Sequence, residues 1–468
     1  MNRLIPICGA LALAAAGAAS GEDFPLTFRT IPAKDVMSFI GGTGTYEQLR
    51  AAKPAKLKKE PRAVSGKALY GEVGDTHGGG GFLVRVEESR GSGMGYDQLI
   101  VDLNQNGDLT DDPVVRRTML PGERRTVSSE QMPFGPIQAP ADKVIAGGRP
   151  VYYAQVYLYQ SSALYYFSDL PASARARQNV TSGRLKLKPG WYVDTTVSVN
   201  GRKQKVGVCD GDCNLFLGDI SRSQTSTTRG EKTWYFPAGD TLLVDADGSG
   251  GFNHDLFRSE ALPFAPILYL GGKACKVALA PDCKSLRVEP WTETLAEVAL
   301  QPRGDQVRNV TLAWEPAGGQ WQLIRPAVAN GKVLVPPGNY RLFESTLMGG
   351  SGSREQVMLS GLQRTPQEPV SVGAGRGNTL DCGAPLEIKV TAAQARTTSV
   401  MALGSNSGSQ RPGSQPTLRI SATVVGAGGE LYSSFQKGEG FRSRPPKPTF
   451  KIVQAGGRTV ANGNLEYG

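Results

Sequence analysis

Tyr96-Asp97-Gln98-Leu99-Ile100-Val101 followed by Asp102-Leu-Asn104-Gln-Asn106-Gly107-Asp108-Leu-Thr110-Asp111-Asp112 is the stretch on which the reading of this chain turns. The first six residues are rich in aromatic and β-branched side chains and read as a strand. The next eleven read as a calcium loop. Oxygen-bearing side chains at positions 1, 3, 5 and 7, with glycine at 6 for the sharp turn, match the first half of an EF-hand loop. Position 12 departs from that pattern, because Pro113 stands where the EF-hand carries a bidentate Glu. Asp111 or Asp112 therefore has to close the ligand set. The expected ligands are Asp102, Asn104, Asn106, Asp108, Asp111 and Asp112, in a β-rich rather than a helical setting.

The same grammar recurs in Asp245-Ala-Asp247-Gly-Ser249-Gly250-Gly251-Phe252-Asn253-His254-Asp255. Here Asp245, Asp247, Ser249, Gly251 (through its carbonyl), Asn253 and Asp255 are the candidate ligands. A weaker copy, Asp210-Gly-Asp212-Cys-Asn214 with Asp219 beyond it, has Leu215 at the turn-glycine position. For this copy simple turn chemistry is the better sequence reading.

These loops belong to a longer internal repeat. Asp97-x-Leu99-Ile100-Val101-Asp102 aligns without a gap on Asp240-x-Leu242-Leu243-Val244-Asp245. Pro133-Phe134-Gly135-Pro136-Ile137 then matches Pro263-Phe264-Ala265-Pro266-Ile267, and Gly147-Gly148-Arg149 matches Gly271-Gly272-Lys273. Three matches in one order imply two copies of a β-rich unit with unequal loops.

The fold class expected is mostly β: a multi-domain chain of antiparallel β units and β-sandwich modules with few short helices, one of them over Ala33–Phe39. The expected divisions are a leader at 1–20, units at 21–146 and 147–291, a sandwich at 292–403, a linker or long exposed loop at 404–416 and a C-terminal β unit at 417–468, which either folds alone or completes the preceding sandwich. A chain of 468 residues with 59 Gly, 31 Pro, 39% hydrophobic and 20% charged residues fits such a turn-rich globular protein. The leader has Arg3, an apolar run from Leu4 to Ala16 and Ala18-Ala19-Ser20 before Gly21, which predicts export and cleavage. No later run reaches the length of a membrane-spanning helix.

Removing residues 1–20 lowers the formal charge from +10 to +9 by one Arg. Arg50, Lys53, Lys56, Lys58, Lys59, Arg62 and Lys67 face only Glu60 in sequence, which reads as a solvated connecting segment or an attraction to an anionic surface. Without interleaved aromatics it does not point to nucleic acid. Cys209/Cys213 and Cys275/Cys283 are candidate local disulfides with Cys382 left over, against a zinc site or free thiols.

Val333-Leu-Val-Pro336-Pro337-Gly338-Asn339-Tyr340-Arg341-Leu342 resembles the Pro-Gly-x-Tyr-x-Leu turn of prealbumin-like and carboxypeptidase-regulatory-like β-sandwiches. That resemblance implies a non-catalytic accessory module. The two acidic loops are similar to those of EF-hand and dockerin calcium modules. Together with the Gly463-Asn-Leu-Glu-Tyr-Gly468 ending, they give the chain a resemblance to a group of uncharacterised secreted bacterial proteins. This implies an architecture and no mechanism.

No H-E-x-x-H, G-x-S-x-G or phosphate-loop motif is present, and His77 and His254 are the two histidines. The function expected is therefore that of an exported Ca2+-binding β-protein with a binding or structural role. Its partner would be a cell-surface glycan or envelope component. The alternative is a secreted hydrolase acting on glycans or peptides with structural calcium.

Overall fold

A computed structural model describes residues 21–36, 39, 46–64, 68–73, 81–89, 96–117, 132–160, 180–199, 201–220, 224–228, 231–235, 239–246, 248–252, 260–350, 357–363, 367–373, 377–395, 417–437 and 447–465. The fold is mostly β, built of many antiparallel sheets. One short helix, Ala33–Val36, falls within the span where the sequence placed one. Among the described residues no helix is long and apolar enough to cross a membrane.

The N-terminal strands are β1 (Glu22–Pro25), β2 (Thr27–Thr30), β3 (Tyr46–Arg50), β4 (Leu69–Val73), β5 (Phe82–Glu88), β6 (Tyr96–Val101), β7 (Val115–Arg116) and β8 (Met132–Gln138). They are followed by β9 (Val151–Gln160), β10 (Val180–Pro189), β11 (Trp191–Val199), β12 (Arg202–Cys209), β13 (Gln224–Thr228), β14 (Glu231–Tyr235) and β15 (Thr241–Val244). Then come β16 (Ala261–Pro263), β17 (Ile267–Leu270), β18 (Lys273–Leu279) and β19 (Ser285–Pro290). Three sheets form from them: β7-β6-β5-β4-β3-β10-β9-β8, β16-β15-β12-β11-β2, and β1-β19-β18-β17. β13 and β14 form a separate hairpin.

The internal repeat is visible as register. Leu69↔Val86↔Leu99 and Gly71↔Val84↔Val101 run across β4-β5-β6. Val193↔Val208↔Leu242 and Thr195↔Val206↔Val244 run across β11-β12-β15 in the same pattern. Alternate residues of both meanders (Val84, Val86, Leu99, Val101 and Val206, Val208, Leu242, Val244) enter one shared core with Phe134, Trp191 and Phe264. Strand pairing continues across residue 146 within this one core. β8 pairs with β9, and β9 and β10 complete the eight-stranded sheet.

The C-terminal strands are β20 (Ala296–Pro302), β21 (Val307–Glu315), β22 (Gln322–Ile324), β23 (Val328–Ala329), β24 (Lys332–Val335), β25 (Gly338–Gly349), β26 (Val357–Leu362), β27 (Val370–Val372), β28 (Asn378–Cys382) and β29 (Glu387–Ala395). After them come β30 (Thr417–Val425), β31 (Leu431–Lys437), β32 (Thr449–Val453) and β33 (Thr459–Asn464). Sheets β23-β24-β20-β28 and β22-β21-β25-β26-β31-β30-β29 share a second core that includes Val298, Leu300, Val310, Leu312, Val335, Tyr340 and Leu380. β31 pairs with β26, so residues 417–437 complete this sandwich, one of the two arrangements expected for the C-terminal segment. About twenty residues bury too little to fold alone, whereas joining a sheet edge pairs their backbone. Residues 404–416 lie outside the described residues.

The Pro336-Pro337-Gly338-Asn339 turn carries the chain from β24 in one sheet to β25 in the other. Gly338 has a φ of +151, and a Cβ there would meet Trp314. Tyr340 Oη donates to Pro336 O at 2.6 Å, which pins the crossing.

Candidate metal centre

Each acidic loop begins at the residue directly after a strand: Asp102 after β6, Asp210 after β12 and Asp245 after β15. Over their described residues all three share one turn. Positions 4 and 6 are left-handed in each: Gln105 (φ 58) and Gly107 (φ 80), Cys213 (φ 59) and Leu215 (φ 70), Gly248 (φ 73) and Gly250 (φ 81). The position-1 carboxylate accepts the N–H groups of positions 5 and 6 each time. Asp102 takes Asn106 N at 3.2 Å and Gly107 N at 2.9 Å. Asp210 takes Asn214 N and Leu215 N, each at 3.0 Å. Asp245 takes Ser249 N at 2.9 Å and Gly250 N at 2.8 Å. A buried carboxylate thus satisfies two backbone donors that the turn would otherwise orphan.

The first two loops agree further. The position-5 amide oxygen accepts the position-7 N–H, from Asp108 at 2.6 Å and from Phe216 at 2.8 Å. The position-5 Nδ2 donates to the position-10 carboxylate, Asn106 to Asp111 at 2.7 Å and Asn214 to Asp219 at 2.6 Å. Leu215 therefore occupies the turn-glycine position without altering the turn. A left-handed backbone costs a non-glycine residue about 1–2 kcal/mol, and Leu215 offsets this by burying its side chain in the first core.

Around that common frame the electrostatics diverge. In the second loop Asp210 and Asp212 are fully buried, and so is Asp240, the residue before β15. One carboxylate oxygen from each lies within 4.8 Å of the others, the three-acid convergence found among the described residues. Asp240 accepts Gly211 N at 3.2 Å, Asp219 N at 2.9 Å and Gly218 N. Asp210 accepts the hydroxyl of fully buried Tyr152, from β9, at 2.5 Å. Burial and then the neighbouring carboxylates hold Asp210 and Asp240 well above the usual carboxylate range. Three carboxylates this close in a low-dielectric interior do not all ionise unless a cation joins them.

The donors are all oxygen, the chemistry of a hard cation such as Ca2+. The neighbouring sulfurs make backbone contacts: Cys209 Sγ donates to Trp191 O at 3.3 Å, and Cys213 Sγ to Leu187 O at 3.5 Å and more distantly to Asp210 O at 3.9 Å. All five described cysteines are free thiols. The expected Cys209/Cys213 bridge is not formed, since the two side chains enter different core clusters.

In the first loop Asp102 is buried, while the acids beyond it are exposed or half-buried. Protein cations reach this loop. The basic segment expected to be solvated lies across it, with Lys58 N donating to Gly107 O at 2.9 Å and Leu109 N to Lys59 O at 2.9 Å. Lys59 Nζ pairs with Asp108 at 3.1 Å, and Lys58 Nζ donates to Asn106 O at 2.8 Å. Asp108 is held below its usual range by the Thr110 hydroxyl and N–H, with Lys59 adding to this. Asp112 is pushed up to about 7 by burial and then by Asp102, Asp111 and Asp108. Its Oδ2 is buried without a hydrogen bond.

Of the third loop, Asp245, Ser249 and Gly251 are described. Asp247, Asn253 and Asp255 lie outside the described residues, as do His77 and His254. Asp240 and Tyr152 were missed as site residues by sequence reasoning. Asp240 was visible only as the repeat partner of Asp97, which caps Ser89 through its N–H (2.7 Å) and hydroxyl (2.6 Å). The chain matches no family model, no curated protein and no solved structure.

Proposed function

We propose that this is an exported β-protein whose repeat unit is locked by Ca2+ at Asp210, Asp212 and Asp240, and which serves a binding or structural role at or outside the cell surface. The observation that carries the reading is the convergence of three buried carboxylates whose surroundings raise Asp210 and Asp240. Asp210 directly follows β12, Asp240 precedes β15, and Tyr152 reaches Asp210 from the neighbouring sheet. A cation there ties three strands and two sheets together. Export rests on the leader-like residues 1–20, and millimolar Ca2+ outside a cell suffices even for a weak site.

Terbium luminescence tests the site, because Tb3+ substitutes for Ca2+ and Tyr152 lies within sensitising reach. The full chain should give a sensitised signal that Ca2+ displaces and that Asp240→Asn loses. A signal unchanged in that variant would place the ion elsewhere.

A further inference from the structure

A cleft of about 380 Å3 opens where the β17-β18-β19 sheet meets the sandwich, and neither the acidic loops nor their cation account for it. The inward face of that sheet (Leu268, Cys275, Val277, Leu286, Val288) fills the first core. Of its outward face, Ile267 and Ala274 pack with Tyr269 into the sandwich core. Lys276, Ala278, Arg287 and Glu289 are left to line the cleft, with Trp291 and Trp314 as aromatic walls. Register makes this a compact patch, since Lys276 lies opposite Glu289 and Ala278 opposite Arg287.

The polar groups are paired at the surface. Lys276 Nζ pairs with Glu293 at 2.8 Å and sits 5.0 Å from the Trp291 ring centre. Arg287 pairs with Glu289 at 2.6 Å. With Asp23 also acting on Arg287 from the paired strand, two cations face three carboxylates, so the rim disfavours an anion while offering donors and acceptors beside apolar and aromatic surface. A small ring with one apolar face and several hydroxyls matches that combination, whereas a fixed anion would have to break the carboxylate pairs. The volume is at the lower end of the roughly 300–1,000 Å3 typical of ligand clefts, which suits one or two rings.

We infer that this interdomain cleft binds a neutral saccharide, independently of the cation reading. The test is saturation-transfer NMR and tryptophan fluorescence on the full chain. Maltose, cellobiose, lactose and N,N′-diacetylchitobiose serve as probes and sodium glucuronate as the anionic comparator. Concentrations run to about 10 mM, tenfold above a millimolar Kd. At least one neutral disaccharide should bind with chelator present. Binding should fall at least tenfold in Trp291→Ala and several-fold in Lys276→Met, the latter keeping the side-chain stem. No response from any neutral probe, a stronger response to glucuronate, or binding unchanged in Lys276→Met would each overturn the inference.

Discussion

The first and second acidic loops have one backbone, the same carboxylate-capped turn and the same amide-to-carboxylate contact at positions 5 and 10, yet they balance their charge differently. The first lies near the surface, where Lys58 and Lys59 are laid across it by the preceding segment. The second is sealed in the interior with Asp240 added to its own acids. Loop geometry of this kind is therefore a turn motif first. Burial and counter-charge decide whether it becomes a metal centre, because a carboxylate in water is readily solvated and one in a core is not.

The largest expected effect comes from breaking the buried side. Asp210→Asn or Asp240→Asn should remove the calcium-dependent part of the stability, about 2.7 kcal/mol for a ligand at 100 times its Kd. Calorimetry of each variant with and without Ca2+ checks this. Asp108→Asn, on the exposed loop, should leave most of that increment intact.

Next in size is the clasp over the first loop. Gly107 has a φ of +80, and a Cβ there would stand 2.6 Å from Lys56 O. Gly107→Ala should cost about 2 kcal/mol from the left-handed backbone and the displaced segment. Urea unfolding measures it. An unchanged midpoint would mean that the 53–60 segment is not packed on the loop.

The acids also set a pH dependence. Asp112 is raised from 3.8 to about 7, so the folded state binds its proton more tightly than the unfolded chain does. Its contribution is fully present below pH 3.8 and is lost as pH rises through 7. Asp210 and Asp240 act with the same sign. In chelator, stability should therefore carry a component that falls between pH 4 and 7. Asp112→Asn should flatten that component by about 1 kcal/mol once solvent screening is allowed for. A slope unchanged in Asp112→Asn would contradict this assignment.

The smallest effect would sharpen the comparison from the exposed side. Lys58→Met with Lys59→Met removes the built-in cations, and the first loop should then take up Tb3+ a few-fold more tightly. Exposed ion pairs contribute roughly 0–1 kcal/mol, so no larger gain is expected.

Much of this was legible in the residues. β-Branched alternation gave the strands, the Asp97–Asp102 and Asp240–Asp245 match gave the repeat, and the spacing of Asp, Asn and Gly gave the turns. The ranking of the sites was not legible. Leu215 at the glycine position argued against the second loop, because a sequence does not show that a buried side chain can hold a left-handed backbone. Asp240 is distant in sequence from Asp210, and their convergence depends on the pairing of β12 with β15. The lysines of residues 53–59 read as solvated because no local pattern shows that they cross a loop fifty residues later.

Thermal unfolding of the full chain, in saturating Ca2+ and in chelator, alongside Asp240→Asn, tests the central claim most directly. The account predicts a melting temperature raised by several degrees by Ca2+ in the parent and unmoved in the variant. Equal melting temperatures for the parent in Ca2+ and chelator would contradict it. The three buried carboxylates would then be sharing protons instead of a cation.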